Sequence, residues 1–276
     1  MAIITLTTDF GEKDYASGAV KGRIYKALKD IIVVDISHRV SPFNLQEGAY
    51  ILKNAYKNFP EGTIHIIGID AERTPETRHI AMRLDEHYFI CADNGIISLL
   101  ASEKKPGQLV EITLHNDKAS SFPVLDVFTE VACHLARGGK PEVIGKTTDT
   151  YKEIKDLLPL VNEEQDKITG HVIYIDNYGN VVTNITRKLF ETVGKGRKFE
   201  LSARNYTFTA IYNRYSEAVN FTVEKHKRED DGKKLAIFNS GGHIELAIYR
   251  SNSDTVGGAS TLLGLYYRDT ITVQFS

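Results

Sequence analysis

Three short apolar runs, Ile3-Ile4-Thr5-Leu6, Ile31-Ile32-Val33-Val34-Asp35-Ile36 and Thr63-Ile64-His65-Ile66-Ile67-Gly68-Ile69, alternate with stretches of helical period, and that alternation leaves few folds open. Each run is short and rich in β-branched residues, the pattern of a strand buried on both faces. Between the first two, Val20, Ile24, Ala27 and Leu28 repeat at i, i+4, i+7 and i+8, so a helix begins near residue 15. Between the second and third, Leu45, Ala49, Leu52, Ala55 and Tyr56 form another stripe, with Asn44 as N-cap and Glu47 as its capping-box partner. Strand, helix, strand, helix, strand implies right-handed crossovers and an α/β domain with a mostly parallel sheet. The carboxyl ends of such strands face the ligand crevice. The first run ends in Thr7-Thr8-Asp9-Phe10-Gly11 and the third in Asp70, which puts Asp9 and Asp70 on one edge. By position alone Asp9 serves equally as a ligand group or as a residue that fixes a turn or caps the helix.

Beyond Asp70 a loop leads to Arg78 and a strand over His79–Leu84, which Asp85-Glu86 turns back into Tyr88-Phe89-Ile90-Cys91-Ala92 as a hairpin. Asp93-Asn94-Gly95 is a turn signal. A strand over 109–114 and a helix over 127–137, closed by Gly138-Gly139, complete a domain over 1–150. Residues 151–169 are charged, surround Leu157-Leu158-Pro159-Leu160 without a clear period, and read as a linker. Over 170–276 short strands follow at 171–176, 181–185, 198–201, 206–211, 234–238, 244–249 and 270–275, which suggests a smaller antiparallel barrel or sandwich. Asn177-Tyr178-Gly179-Asn180 and Asn239-Ser240-Gly241-Gly242 read, taken singly, as hairpin turns.

Thirty-four Lys and Arg against 36 Asp and Glu leave a net charge of -2, without the electrostatic footprint of a nucleic-acid binder. The densest charge run, residues 224–231, mixes both signs and reads as a solvated loop. Cys91 and Cys133 are far apart in apolar surroundings, as buried thiols of a reducing cytosol would be. No basic-then-apolar leader opens the sequence and no apolar run approaches the roughly 20 residues of a membrane span. The expectation is therefore a soluble, cytoplasmic protein that touches neither membrane nor nucleic acid. With neither Cys-x-x-Cys nor His-Glu-x-x-His, no zinc site is expected.

Leu6-Thr7-Thr8-Asp9-Phe10-Gly11, Val33-Val34-Asp35-Ile36-Ser37-His38, Gln46-Glu47-Gly48-Ala49 and Phe59-Pro60-Glu61-Gly62-Thr63 are followed by Asp93-Asn94-Gly95, Tyr178-Gly179-Asn180-Val181-Val182-Thr183-Asn184 and Asn239-Ser240-Gly241-Gly242. In this order and spacing the chain resembles the S-adenosyl-L-methionine (SAM) hydrolases, also called SAM hydroxide adenosyltransferases, a family that includes fluorinases and chlorinases. The resemblance implies an N-terminal Rossmann-like α/β domain, a C-terminal β-barrel, and a homotrimer that binds SAM between the N-terminal domain of one subunit and the C-terminal domain of the next. It implies that water attacks ribose C5′, methionine leaves and adenosine forms, with SAM as substrate and no metal or redox cofactor. Carried over residue by residue, Asp9 resembles the carboxylate on the ribose hydroxyls and Asp14 the partner of the methionine ammonium. Phe43 takes the aromatic position over ribose and adenine, and Phe122 a further substrate-side aromatic position. Tyr178 and Asn180 resemble the residues that stack on and hydrogen-bond adenine, and Ser240 the residue at the amino-acid end.

Family hydrolases set an Asp, an Arg and a His around the attacking water. Asp70 resembles the first and, with one residue inserted, Arg78 the second, which makes these two the catalytic candidates. Without the resemblance they read as an ion pair tying two strand ends. The family's Phe-His-Gly-Arg-Asp is here Phe122-Pro123-Val124-Leu125-Asp126, and Pro123 has no side-chain proton to give or take. His79 follows Arg78 directly, but alternation along a strand sends it to the opposite face. Three readings stay open: a hydrolase with a reduced catalytic set, a non-catalytic SAM or adenosine binder, and adenosyl transfer to another nucleophile such as a halide. Val124 argues against the last, since a halide site calls for a small polar donor.

Overall fold

In the computed structural model, which describes residues 2–101, 104–114, 120–155, 157–228 and 231–276, the chain divides into two compact units, residues 1–156 and 157–276. Asp156 of the expected linker and Glu229 and Asp230 of the charged loop lie outside the described residues. In the first unit the apolar runs become β1 (Ile3–Thr8), β2 (Ile32–Ser37) and β3 (Ile64–Gly68), connected by α1 (Ala16–Ala27) and α2 (Leu45–Tyr56). Strands β2 and β3 both pair with β1 in parallel. Val20 and Ile24 of α1 join the core on one face of the sheet with Ile4, Leu6, Ile64 and Ile66, while Ala49, Leu52 and Tyr56 of α2 join the other core with Ile67. Asn44 caps α2 as expected, its Oδ1 accepting the Glu47 N–H at 3.1 Å, but the reciprocal half of the capping box is altered: the Asn44 N–H goes to the Ser41 carbonyl, and Glu47 Oε2 accepts the Asn44 side-chain amide at 3.1 Å and the Ser41 N–H at 3.2 Å. Strand β2 is an edge strand and only partly buried, so its apolar run does not mark a strand covered on both faces.

The expected mostly parallel sheet gives way beyond β3. Strands β4 (His79–Leu84) and β5 (His87–Ala92) are joined by Asp85 and Glu86 at φ 49° and 61°, the two-residue turn of a tight hairpin. So short a connection cannot carry a parallel crossover, which needs a dozen or more residues. Strand β4 therefore runs antiparallel to β5, and β6 (Gln108–Ile112) and β7 (Gly145–Thr147) continue antiparallel in turn, in the order β2-β1-β3-β5-β4-β6-β7. The sheet is mixed, parallel on one side of β5 and antiparallel on the other. The unit also contains α3 (Ile96–Leu100) and α4 (Thr129–Ala136), the latter entered through a π-helical turn over Val124–Phe128. Tyr151 and Ile154, in the stretch read as linker, pack against this unit's core.

Within the second unit, β8 (Leu160–Val161), also in that stretch, pairs with β9 (Lys167–Ile175). The unit continues with β10 (Val181–Thr186), α5 (Arg187–Gly194), β11 (Phe199–Ala203), β12 (Tyr206–Phe208), β13 (Ile211–Tyr212), β14 (Lys234–Phe238), β15 (His243–Ile248), α6 (Ala259–Leu262) and β16 (Thr270–Phe275). These strands run β12-β11-β16-β9-β10-β15-β14-β13 in one nearly barrel-shaped sheet, antiparallel except for the β13–β14 pair. Ile168, Val172, Val181, Ile244, Leu246 and Val273 line its core. Among the described residues no helix is long and apolar enough to cross a membrane.

Polar side chains buried behind the first sheet make stability pH-dependent. Thr5 Oγ1 lies 2.7 Å from His65 Nδ1, and His65 Nε2 lies 3.1 Å from His87 Nδ1. Neutral rings satisfy this chain, with the Thr5 hydroxyl and the His65 Nε2–H as donors. Burial, reinforced by the neighbouring His87, pushes His65 down to about 3, and burial also lowers His87. Unfolded histidine takes its proton near pH 6.5, so between about 6.5 and 3 the unfolded chain binds more protons. The His65 contribution is therefore complete above pH 6.5 and is lost as pH falls towards 3, in total on the order of 5 kcal/mol. Urea midpoints should drop across this window more steeply in wild type than in His65→Phe. Equal slopes in the two proteins would refute the assignment.

Candidate active site

The loop after β1 is held by a chain of side chains that reaches from α1 to Phe10. Lys21 Nζ donates to Asp35 Oδ2 at 2.5 Å, and Asp35 Oδ1 lies 3.0 Å from His38 Nε2, at ion-pair distance but off the line of the ring N–H. His38 Nδ1 lies 2.7 Å from Thr8 Oγ1, which also accepts the Phe10 N–H at 3.4 Å. Burial alone would raise Asp35, but the hydrogen bond from Lys21 and the close His38 ring outweigh it and keep the carboxyl below its ordinary range. The His38 carbonyl accepts the Gly11 N–H at 2.7 Å, and Gly11 sits at φ 70°, so His38 grips the loop at both ends. Between these grips is Asp9. Its Oδ2 accepts the backbone N–H of Phe43 at 3.0 Å. Phe43 is itself at φ 62° and 72% exposed, so the carboxylate pins an aromatic residue presented to solvent. Asp9 Oδ1 has no protein partner among the described residues. Helix α1 starts without a side-chain cap, so Asp9 fixes a turn, at Phe43, and does not cap the helix. Asp14 is exposed just before α1 and has no partner among the described residues.

Asp70 follows β3 on the same edge; the Thr8–Gly68 pairing of β1 and β3 brings the two strand ends level. It is exposed, at φ 45°, and its carboxylate has no partner among the described residues. Arg78 does not pair with it. Its Nε donates to Asp93 Oδ2 at 2.9 Å, Nη1 to Glu111 Oε2 at 3.3 Å and Thr148 Oγ1 at 3.4 Å, and Nη2 to the Thr150 carbonyl at 2.5 Å and hydroxyl at 3.1 Å. All five guanidinium donors are engaged. The strand-end ion pair therefore forms with Asp93 and Glu111, and Arg78 anchors the segment after β7 to the sheet.

Phe122 packs edge-on against Phe10 with ring centroids 5.3 Å apart. Pro123, at φ -59° and ψ -30°, opens the π-helical turn, a place where its missing N–H costs nothing. Val124 is buried in the core. A Cβ on Gly68 would stand 3.0 Å from the Phe10 ring and 3.1 Å from Val124 Cγ2, so a glycine at the end of β3 lets both loops close against it. His79 turns to this face of the sheet, away from Arg78, as alternation requires, and packs edge-on against Phe128 at 4.8 Å.

In the second unit Asp176 builds the Tyr178 turn. Its Oδ1 accepts the N–H groups of Tyr178 and Asn180, both at 2.8 Å, and its Oδ2 accepts the Asn180 side-chain amide at 3.0 Å. Gly179 takes φ 76° at the tip, leaving the Tyr178 ring exposed and Asn180 buried beneath. Ser240 is exposed in the loop between β14 and β15, where Asn239 Oδ1 accepts the N–H groups of Gly241 and His243. Glu245 is buried below that loop; burial raises its carboxyl, although Tyr215 donates to it at 2.6 Å and Asn239 at 3.2 Å. Among the described residues no cluster of three His, Cys, Asp or Glu is placed to hold a metal.

The model of the SAM hydroxide adenosyltransferase N-terminal domain matches residues 4–145, and that of the C-terminal domain matches residues 170–272. The chain belongs to this family. A relative from Methanocaldococcus jannaschii, named (R)-S-adenosyl-L-methionine hydrolase, is 29% identical over 99% of this chain and 96% of its own length. A fluorinase from Actinopolyspora mzabensis is 24% identical over 70% of this chain and 75% of its own. The crystal structure of an uncharacterized conserved protein from Thermotoga maritima superposes with a TM-score of 0.82 at 26% identity, over 99% of this chain and all of that one. For a SAM hydroxide adenosyltransferase, the structure brings Asp9 together with Phe43, and Phe10 with Phe122, and forms no ion pair between Asp70 and Arg78. Sequence reasoning missed Asp35 and His38 as supports of the Asp9 loop; their signal was a buried-strand motif ending in two polar residues.

Proposed function

We propose that this protein hydrolyses SAM to adenosine and L-methionine. The observation that carries the reading is the unpartnered Asp70 carboxylate on the strand edge that also bears Asp9, in a chain aligned over nearly its whole length with a protein named as a SAM hydrolase. Asp9 Oδ1 takes the ribose hydroxyls, Phe43 and Phe122 flank the nucleoside, and Tyr178 and Asn180 take adenine. Asp14 meets the ammonium and Ser240 the amino-acid end. Asp70 orients a water in line with the C5′–S bond. As oxygen bonds C5′, the C–S electron pair passes to sulfur, which leaves as a neutral thioether, and the water proton passes to Asp70. A leaving group that sheds its charge needs little stabilisation, so positioning is the main demand and neither metal nor redox cofactor is called on. Arg78 can join the water only by exchanging one of its two long Nη1 bonds. The second unit's sheet would act as the family's β-barrel, with the two sets of ligand loops meeting across the subunits of a cytoplasmic homotrimer; a monomer mass in light scattering would refute the trimer.

Purified protein incubated with SAM should yield adenosine and methionine in equal amounts. SAM bound without turnover would establish instead the binder reading, which Pro123 and the fully engaged Arg78 favour. A 5′-halogenated product made only in the presence of halide would establish adenosyl transfer. Asp9→Ala should weaken adenosine binding about 10- to 100-fold by calorimetry, because a charged acceptor is worth roughly 1.5–3 kcal/mol. Equal affinity in mutant and wild type would sink the role given to Asp9.

A further inference from the structure

Three consecutive carbonyls around Asp70 are held by two buried side chains. Asn94 Nδ2 donates to the carbonyls of Ile69 at 3.0 Å and Asp70 at 3.1 Å, and His79 Nε2 to that of Ala71 at 3.0 Å. Asn94 is itself fixed, since its Oδ1 accepts the Ile96 N–H at 3.2 Å. The residue so enclosed is a non-glycine in the left-handed region, at φ 45°, with a carboxylate that touches no described protein group. Glycine would make the same bend without strain but would bring no carboxylate. A strained residue persists where its surroundings over-determine it, and such residues cluster at functional sites.

His79 is 1% exposed. To donate to a carbonyl its Nε2 must carry the proton, which leaves Nδ1 a bare acceptor, and that atom is buried without a partner among the described residues. A side chain selected for stability would not keep an unsatisfied nitrogen in the core. Nor can this ring relay a proton: one nitrogen is committed to Ala71 and the other is enclosed. Burial pushes His79 below its ordinary range, in keeping with a permanently neutral ring.

We infer that His79 and Asn94 are positioning residues that lock the Asp70 backbone and so aim its carboxylate at the reacting water. The imidazole beside Arg78 is then a clamp and not a replacement for the histidine missing at Pro123. The inference rests on the reading of Asp70 as the group that handles water.

The test compares His79→Leu, His79→Gln and Asn94→Ala with Asp70→Asn, each assayed for SAM turnover. Small displacements at a reacting centre cost about 10- to 100-fold, so kcat should fall by that factor in His79→Leu and in Asn94→Ala. The KM for SAM and the affinity for adenosine should stay within about twofold of wild type, since neither residue meets the substrate. His79→Gln, whose amide can also donate to Ala71, should recover part of kcat, and the pH profile of kcat should keep its shape in all three variants. Loss of a limb of that profile in His79→Leu would make His79 a proton carrier and overturn the clamp. Full kcat in folded His79→Leu and Asn94→Ala, with Asp70→Asn inactive, overturns the inference alone; should His79→Leu not fold, Asn94→Ala decides. Full activity of Asp70→Asn, or an inactive wild type, removes the reading of Asp70 and the inference with it.

Discussion

Asp70→Asn is expected to slow adenosine formation by about 10²- to 10⁴-fold, the contribution of a positioned acid-base group. The substitution isolates charge from shape. Asparagine adopts the left-handed region as readily as aspartate, so the bend at φ 45° and the backbone bonds to Asn94 and His79 persist while the carboxylate is lost. Because Asp70 makes no described side-chain contact, its neutralisation breaks no ion pair, and the thermal midpoint should stay within a few degrees of wild type. Adenosine affinity should be preserved as well. Turnover and calorimetry on the same preparation measure both quantities. A rate within a factor of three of wild type would mean that water is held by another group, and the reaction would have to be rebuilt around it.

The range of each interaction decides whether the sequence discloses it or hides it. The α2 cap was legible because Asn44 and Glu47 act within one turn, and the hairpin at Asp85-Glu86 was legible because a two-residue turn carries its own backbone signature. That same hairpin made the sheet mixed, yet its consequence for β6 and β7 depends on pairings between distant segments that no local pattern encodes. Helix α5 escaped notice because its eight residues are too few to repeat an apolar stripe, although Leu189, Phe190 and Val193 do face the core. At the site, the strand-end positions of Asp9 and Asp70 could be read, because a run that stops at a carboxylate is a local fact. The partner of Arg78 could not. Spacing allowed Asp70, but Arg78 lies in register with the end of β5, and Asp93 and Glu111 take the guanidinium across strands far apart in sequence. The supports of Asp70 were hidden for the same reason: Asn94 read as a turn residue and His79 as an inward strand position, and their shared target is apparent only when three carbonyls are seen together.

Pro123→His is expected to raise adenosine formation by about tenfold or more, at a cost in stability of about 1–3 kcal/mol. Position 123 has helical dihedrals that any residue accepts, so the substitution does not strain the backbone itself. Space is the difficulty. Pro123 and Val124 are both buried, and Val124 Cγ2 already stands 3.1 Å from where a Cβ on Gly68 would be. An imidazole is larger than the pyrrolidine ring and must displace neighbours to fit, most readily towards the half-buried Phe122 ring. Relieving the crowding through Val124→Gly would be the wrong remedy, since it opens a cavity in the core and frees the start of the π-helical turn. The single substitution is therefore the cleaner experiment, read as turnover together with the thermal midpoint. A gain in rate despite a lower midpoint would show that Asp70 already holds the water and lacks only a proton partner. A variant that binds SAM as tightly as wild type, unfolds earlier and turns over no faster would place residue 123 outside the chemistry, leaving Asp70 to act without an imidazole.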